Sequence, residues 1–211
     1  MSIIASSSLS QSLRFVLAVA ALTPARLPAQ ATDSTPRRSA IERMQEPGPE
    51  ATALARRAGS WNVVMTLRPT PDAAPIVTPG LVADRAMVGL FLQEVMKPAP
   101  GSRTPDFRRI SYLTYNRVEG RWQYVSLDTR FPAGIMPAWS FEKEADRTLT
   151  LEFEGLGFVG FGPDVEGRLT RSNFVIVRES DDHEIARQYW TQADGTGREW
   201  LAVQYEYRRR P

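Results

Sequence analysis

From Trp61 to the C-terminus the chain carries a two-residue period and almost no helical one. Trp61, Val63, Met65 and Leu67 alternate with Asn62, Thr66 and Arg68. Leu149, Leu151 and Phe153 alternate with Thr148, Thr150, Glu152 and Glu154, and Leu201, Val203, Tyr205 and Tyr207 with Gln204, Glu206 and Arg208. Such alternation turns one face of a strand to a core and the other to solvent. Further runs cover 81–88, 90–96, 107–116, 121–128, 135–141, 169–178 and 185–191. Glu119-Gly120, Asp181-Asp182 and Asp194-Gly195 supply turn chemistry between them. About ten sequential strands on short turns predict an all-β antiparallel meander, and closing it into a barrel removes the edges that an open sheet leaves free to pair.

Before the strands the pattern changes twice. Arg14, the apolar run Phe15 to Leu22 and Ala29-Gln30-Ala31 stand in the order of a secretory signal with its A-x-A cleavage site, so residues 1–31 are expected to be removed on export to the periplasm or medium. The apolar run is far shorter than the ~20 residues of a membrane span. Residues 32–48 are polar and proline-bearing and read as a flexible leader. Pro49 to Ala58 favours helix, acid first and bases last, and Gly59 ends it. The domain is therefore expected over 49–211.

Charge narrows the partners. The chain has 26 Lys and Arg against 24 Asp and Glu; two of the bases, Arg14 and Arg26, leave with the signal, so the exported part is balanced. A neutral domain has no electrostatic footprint for nucleic acid. With no cysteine there is no disulfide, thiolate metal site or cysteine nucleophile.

Leu54-Ala-Arg-Arg-Ala-Gly59-Ser-Trp61, the Tyr115-Asn116 turn followed by Trp122, and the closing Tyr207-x-Arg209 resemble a bacterial lipocalin-like, calycin-type β-barrel family of unknown function, over about residues 50–210. The resemblance implies a container with a structural closure: Gly59 admits a sharp entry into the first strand, Trp61 plugs one end, and Arg209 lies across the indole. Parity supports Arg209 over Arg208, since Arg209 shares a face with Tyr205 and Tyr207. A guanidinium over an indole contributes ~0.5–2 kcal/mol.

Candidate chemistry is sparse. Gly155-Leu-Gly157-Phe-Val-Gly160 matches a dinucleotide fingerprint in letters, but Pro163, Asp164 and another strand follow where a helix must hold the pyrophosphate. His183, the lone histidine, sits in Ser-Asp-Asp-His-Glu and reads as an exposed turn residue; a haem ligand needs a dry pocket, and H-E-x-x-H is not completed. No G-x-S-x-G elbow is present. No cofactor, metal or catalytic residue is assigned. Three charged residues share faces with apolar ones: Glu94 with Leu90, Leu92 and Met96; Arg85 with Leu81, Ala83 and Met87; Arg171 with Leu169, Val175 and Val177. Inward charge is costly unless paired, so a buried structural ion pair is their commonest use. Should the barrel hold a ligand with a polar group, Arg85, Glu94 and Arg171 are the residues to meet it, with Tyr112, Trp122, Tyr124 and Trp139 as aromatic lining. The apolar loops 131–139 and 155–162 are expected to pack on something, such as the barrel mouth.

The expected function is the binding or carriage of a small, mostly apolar molecule inside the barrel. The alternatives are an enzyme using interior carboxylate and arginine as an acid–base pair, and a filled barrel that docks a partner, a homodimer included.

Overall fold

The computed structural model describes residues 38–131, 134–142, 147–158, 168–192 and 195–211. The expected signal, residues 32–37 of the expected leader and the Gly160 end of the glycine motif lie outside the described residues. Two short helices come first, α1 (Ala40–Gln45) and α2 (Pro49–Ala55). Helix α1 departs from the flexible leader expected over 32–48. Ser39 and Glu42 form a reciprocal capping box there, which satisfies amides that a helix start leaves bare. Helix α2 begins on Pro49 and buries Leu54. It stops short of the expected Ala58 because the amides of Arg57 and Ala58 bond back only three residues, to Leu54 and Ala55.

Eleven strands follow: β1 (Gly59–Leu67), β2 (Ile76–Val88), β3 (Phe91–Pro98), β4 (Arg109–Asn116), β5 (Arg121–Asp128), β6 (Met136–Ser140), β7 (Thr148–Phe153), β8 (Leu156–Phe158), β9 (Arg168–Arg178), β10 (His183–Gln192) and β11 (Glu199–Arg209). Neighbours pair antiparallel from β1 to β7; β7 pairs with β9, β9 with β10, β10 with β11, and β11 returns to β1. Ten strands thus close a ring, as the alternation predicts. Short β8 continues the line of β7 along the same side of β9. Within the glycine motif, Leu156 to Phe158 form the strand β8, and residues 159–167 lie outside the described residues.

Two irregularities shift the parity that the sequence suggested. Val63 pairs with Leu81 and Met65 with Thr78, so Val64 faces two residues, Pro79 and Gly80. Gly80 adopts φ +71°, and a bulge tolerates a proline that a regular ladder excludes. The Pro-Gly pair is why the start of β2 is not legible as a strand. On β11, Gln188 pairs with Val203 and Tyr189 with Leu201, leaving Ala202 extra. Leu201 therefore leaves the interior set expected of it, and Trp200 and Ala202 are buried instead.

The interior is filled by one apolar cluster. Helix α2 packs on β2, β3 and β4 and covers one end. Leu54, Trp61 and Trp122 are buried there, with Tyr115 edge-on to Trp122 at 5.2 Å. The far end carries Phe153, Trp190 and Trp200, and the Trp200 indole donates to the Arg68 carbonyl at 2.9 Å.

Candidate functional site

Trp61 and Arg209 are direct partners in the β1–β11 ladder. The Arg209 guanidinium lies 4.4 Å from the Trp61 ring. It also donates to three main-chain carbonyls: Ala58 at 2.7 Å, Arg56 at 2.8 Å and Asp181 at 3.0 Å. Gly59 is required on two counts. Its φ of +127° disfavours a side chain, and a Cβ there would stand 2.6 Å from Arg209 Nη1. The last strand is thus tied to the turn between α2 and β1.

Inside the ring, Arg85 and Glu94 face one another across the β2–β3 ladder and meet Nε to Oε2 at 2.7 Å. They belong to a larger array. Arg85 Nη2 donates to Glu184 at 2.9 Å, and Arg57 reaches the other Glu184 oxygen at 2.6 Å. Arg109 contacts Glu94 Oε1 at 3.1 Å and donates to the Tyr124 hydroxyl, while the Tyr207 hydroxyl donates to Glu94 at 3.3 Å. Arg85 lies 4.3 Å from the Tyr207 ring and 5.0 Å from that of Trp61. All but Arg57 are buried, Glu184 to 1 % exposure.

Burial alone would raise the Glu184 pKa; Arg57 and Arg85 overcome it and bring the carboxyl down to about 2. Burial likewise works against the Arg85 cation, and the fields of Glu184 and Glu94 more than offset it, so its value stands above that of ordinary arginine. Tyr207 is pushed well above the usual phenol value by burial, with Glu94 adding to the rise. The array pairs guanidinium groups with carboxylates, and Tyr207 is held within it as a neutral phenol. A depressed carboxyl such as Glu184 is the opposite of what a general acid needs near neutrality.

Of the sequence candidates, Arg85, Glu94 and Tyr124 come together here. Trp122 faces inward but lies at the α2 end. Arg171 is exposed: its parity with Val175 and Val177 holds, but that face of β9 is the outer one, and Ser172, Phe174 and Ile176 point in. Tyr112 and Trp139 also point outward, where they line a surface groove of about 480 Å³ with Phe91, Arg121 and Pro137. His183 lies outside the ring between Glu179 at 2.8 Å and Glu206 at 3.2 Å. Sequence reasoning missed Arg57, Arg109, Glu184 and Tyr207 as members of the array.

Among the described residues, two of the spaces within the ring border these ions. One of about 30 Å³ lies among the ions, between Arg57, Arg85 and Arg109. The other, of about 70 Å³, occupies the far end. Its walls include Met65, Met136, Phe153, Trp190 and Val203, and Phe131 from the apolar loop 131–139 borders it. Arg109 lines both spaces. Asp128 holds Arg130 beside the far-end space through Nε at 2.9 Å and Nη2 at 2.6 Å, and Arg130 lies 3.7 Å from the Phe107 ring.

The crystal structure of Rv2717c from M. tuberculosis is similar, with a TM-score of 0.52 and 16% identity, covering 79% of this chain and 100% of that one. At that identity the likeness speaks to the fold alone. No curated protein matches the chain. The family model described as "Protein of unknown function (DUF1579)" matches residues 46–209, which takes in α2, every strand of the ring and the terminal arginine latch, and the chain therefore belongs to the DUF1579 family.

Proposed function

We propose that the protein is an exported, lipocalin-like binder of a small, mostly apolar molecule with an acidic end, held in the far half of the barrel. The supporting observation is the composition of the far-end space: methionine and aromatic walls converge on the guanidinium of Arg109. Its size of about 70 Å³ limits the ligand to a few heavy atoms, since a dry cavity that takes benzene measures about 150 Å³. Met65 and Met136 are adaptable side chains, and their movement widens the space for a short aliphatic chain. Apolar burial provides the affinity, and Arg109 with Arg130 fixes the acid. Export is supported by the segment order of residues 1–31.

A second reading has an observation of its own. The outer groove of about 480 Å³ falls in the usual range for ligand pockets, and Phe91 at its rim is exposed. A largely filled barrel docking a partner through Tyr112 and Trp139 accounts for that face.

One comparison separates the two. Native mass spectrometry of protein from its own cells shows any retained molecule, and its intact mass reports whether residues 1–31 are gone. Calorimetric titration with straight-chain carboxylates from butyrate to octanoate then compares two variants. The barrel reading expects Met136→Trp to weaken binding at least tenfold and Trp139→Ala to leave it unchanged. Binding that survives Met136→Trp and fails in Trp139→Ala moves the site to the outer groove.

A further inference from the structure

The space among the interior ions is unexplained by ligand binding at the far end. Three guanidinium groups, of Arg57, Arg85 and Arg109, border it, and two carboxylates, of Glu94 and Glu184. Tyr207 is neutral, because its hydroxyl donates to Glu94 and burial holds the phenol protonated, and the Tyr124 hydroxyl accepts from Arg109. The ions therefore leave one positive charge over. Extending the count to Asp128 and Arg130 adds one charge of each sign and changes nothing.

That excess has no counterpart among the described residues that line the space. Arg85 Nη1 and Arg57 Nε are buried with no hydrogen-bond partner among the described residues, and Arg85 as a whole is 7% exposed. Both residues line the space. Leu92, Leu113, Phe174, Ile176 and Ala186 give the wall its apolar part, with Ser111 beside them. A buried ion without an opposite charge is among the costliest features a fold can hold. Charge-assisted donors that converge on a small hollow bind anions most strongly.

We propose that this inner space is a site for one small monovalent inorganic anion, of halide size, held by Arg57, Arg85 and Arg109. The volume of about 30 Å³ exceeds the roughly 10–15 Å³ that admits a single water and leaves no room for a sulfate together with its hydration shell. The anion completes the ion array and neutralises the barrel interior. It is a structural ligand, separate from any molecule at the far end, and stands whether or not that end binds a carboxylate.

Bromide is the probe. Crystals of the full-length protein grown in sodium bromide should give an anomalous peak between the three guanidinium groups. In solution, the urea midpoint should rise with bromide and not with sodium gluconate at equal ionic strength, because gluconate is too large to enter. Arg57→Gln removes the excess charge at the edge of the array and should weaken bromide binding about tenfold, while Arg57→Lys restores most of it. Water alone in the space, an adventitious ion only at the surface, or equal stabilisation by bromide and gluconate overturns the proposal. If neither variant folds, the wild-type crystal and the matched-salt titration still decide it.

Discussion

The two ends of the barrel spend their interior differently. Near α2, ions face ions across an otherwise apolar wall, and the polar groups are locked at 2.6–3.3 Å. At the far end, the walls are mostly methionine and aromatic side chains, with Arg109 and the Asp128–Arg130 pair along one part of them. A paired array gains little over an apolar core, but it fixes one geometry and makes each member expensive to lose. An apolar chamber with flexible methionines tolerates repacking. The first end is built to hold the barrel together, and the second is lined by side chains that can rearrange.

The largest effect that follows is at Glu184. Glu184→Gln leaves Arg57 and Arg85 facing a neutral amide in a buried site and should cost about 3–5 kcal/mol in chemical denaturation. The same carboxylate sets an acid limit. Its value in the folded chain, about 2, lies below the ordinary 4.5, so its stabilisation is complete above pH 4.5 and is lost as pH falls from there toward 2. The variant should show a flatter stability profile across that window than wild type. A Glu184→Gln protein as stable as wild type and equally acid-sensitive erases the contrast between the ends.

A smaller loss is expected at the seam. Gly59→Ala forces a side chain into φ +127° and against Arg209 Nη1, and should cost about 1–3 kcal/mol, read as a lowered urea midpoint at unchanged slope. The smallest belongs to the outer wall: Arg171→Ala should change stability by no more than about 0.5 kcal/mol and leave carboxylate binding intact. A clear loss of binding there would place the ligand outside the ring.

The ring itself was legible because each strand buries one face, and alternation survives in the residues. Gly59, Trp61 and Arg209 were legible for a related reason: they occupy fixed places at the two ends of the strand series. The ion array was only half legible. Arg85 and Glu94 stand in clean apolar alternation, so their inward direction shows. Arg109 opens its strand after Arg108, and only its parity with Ser111 and Leu113 marked it. Glu184 follows three polar residues and takes on the look of a turn, although its parity with Ala186 and Trp190 was present in the chain. Arg171 fails for the converse reason. Strand β9 is apolar on both faces, Phe174 and Ile176 inside and Val175 and Val177 outside, so alternation alone does not say which face is the core. Which charge meets which depends on the closure of the ring, and that is a property of contacts far apart in sequence.

That closure has a consequence for how the chain is made. The seam joins Gly59–Leu67 to Glu199–Arg209, the first strand to the last, and the amide of Arg210 still bonds to Ser60. The wall cannot be completed before β11 has been made, and long-range pairing of this kind assembles slowly. If the chain is exported as proposed, so late a closure suits passage through a narrow translocation pore, which admits unfolded chain.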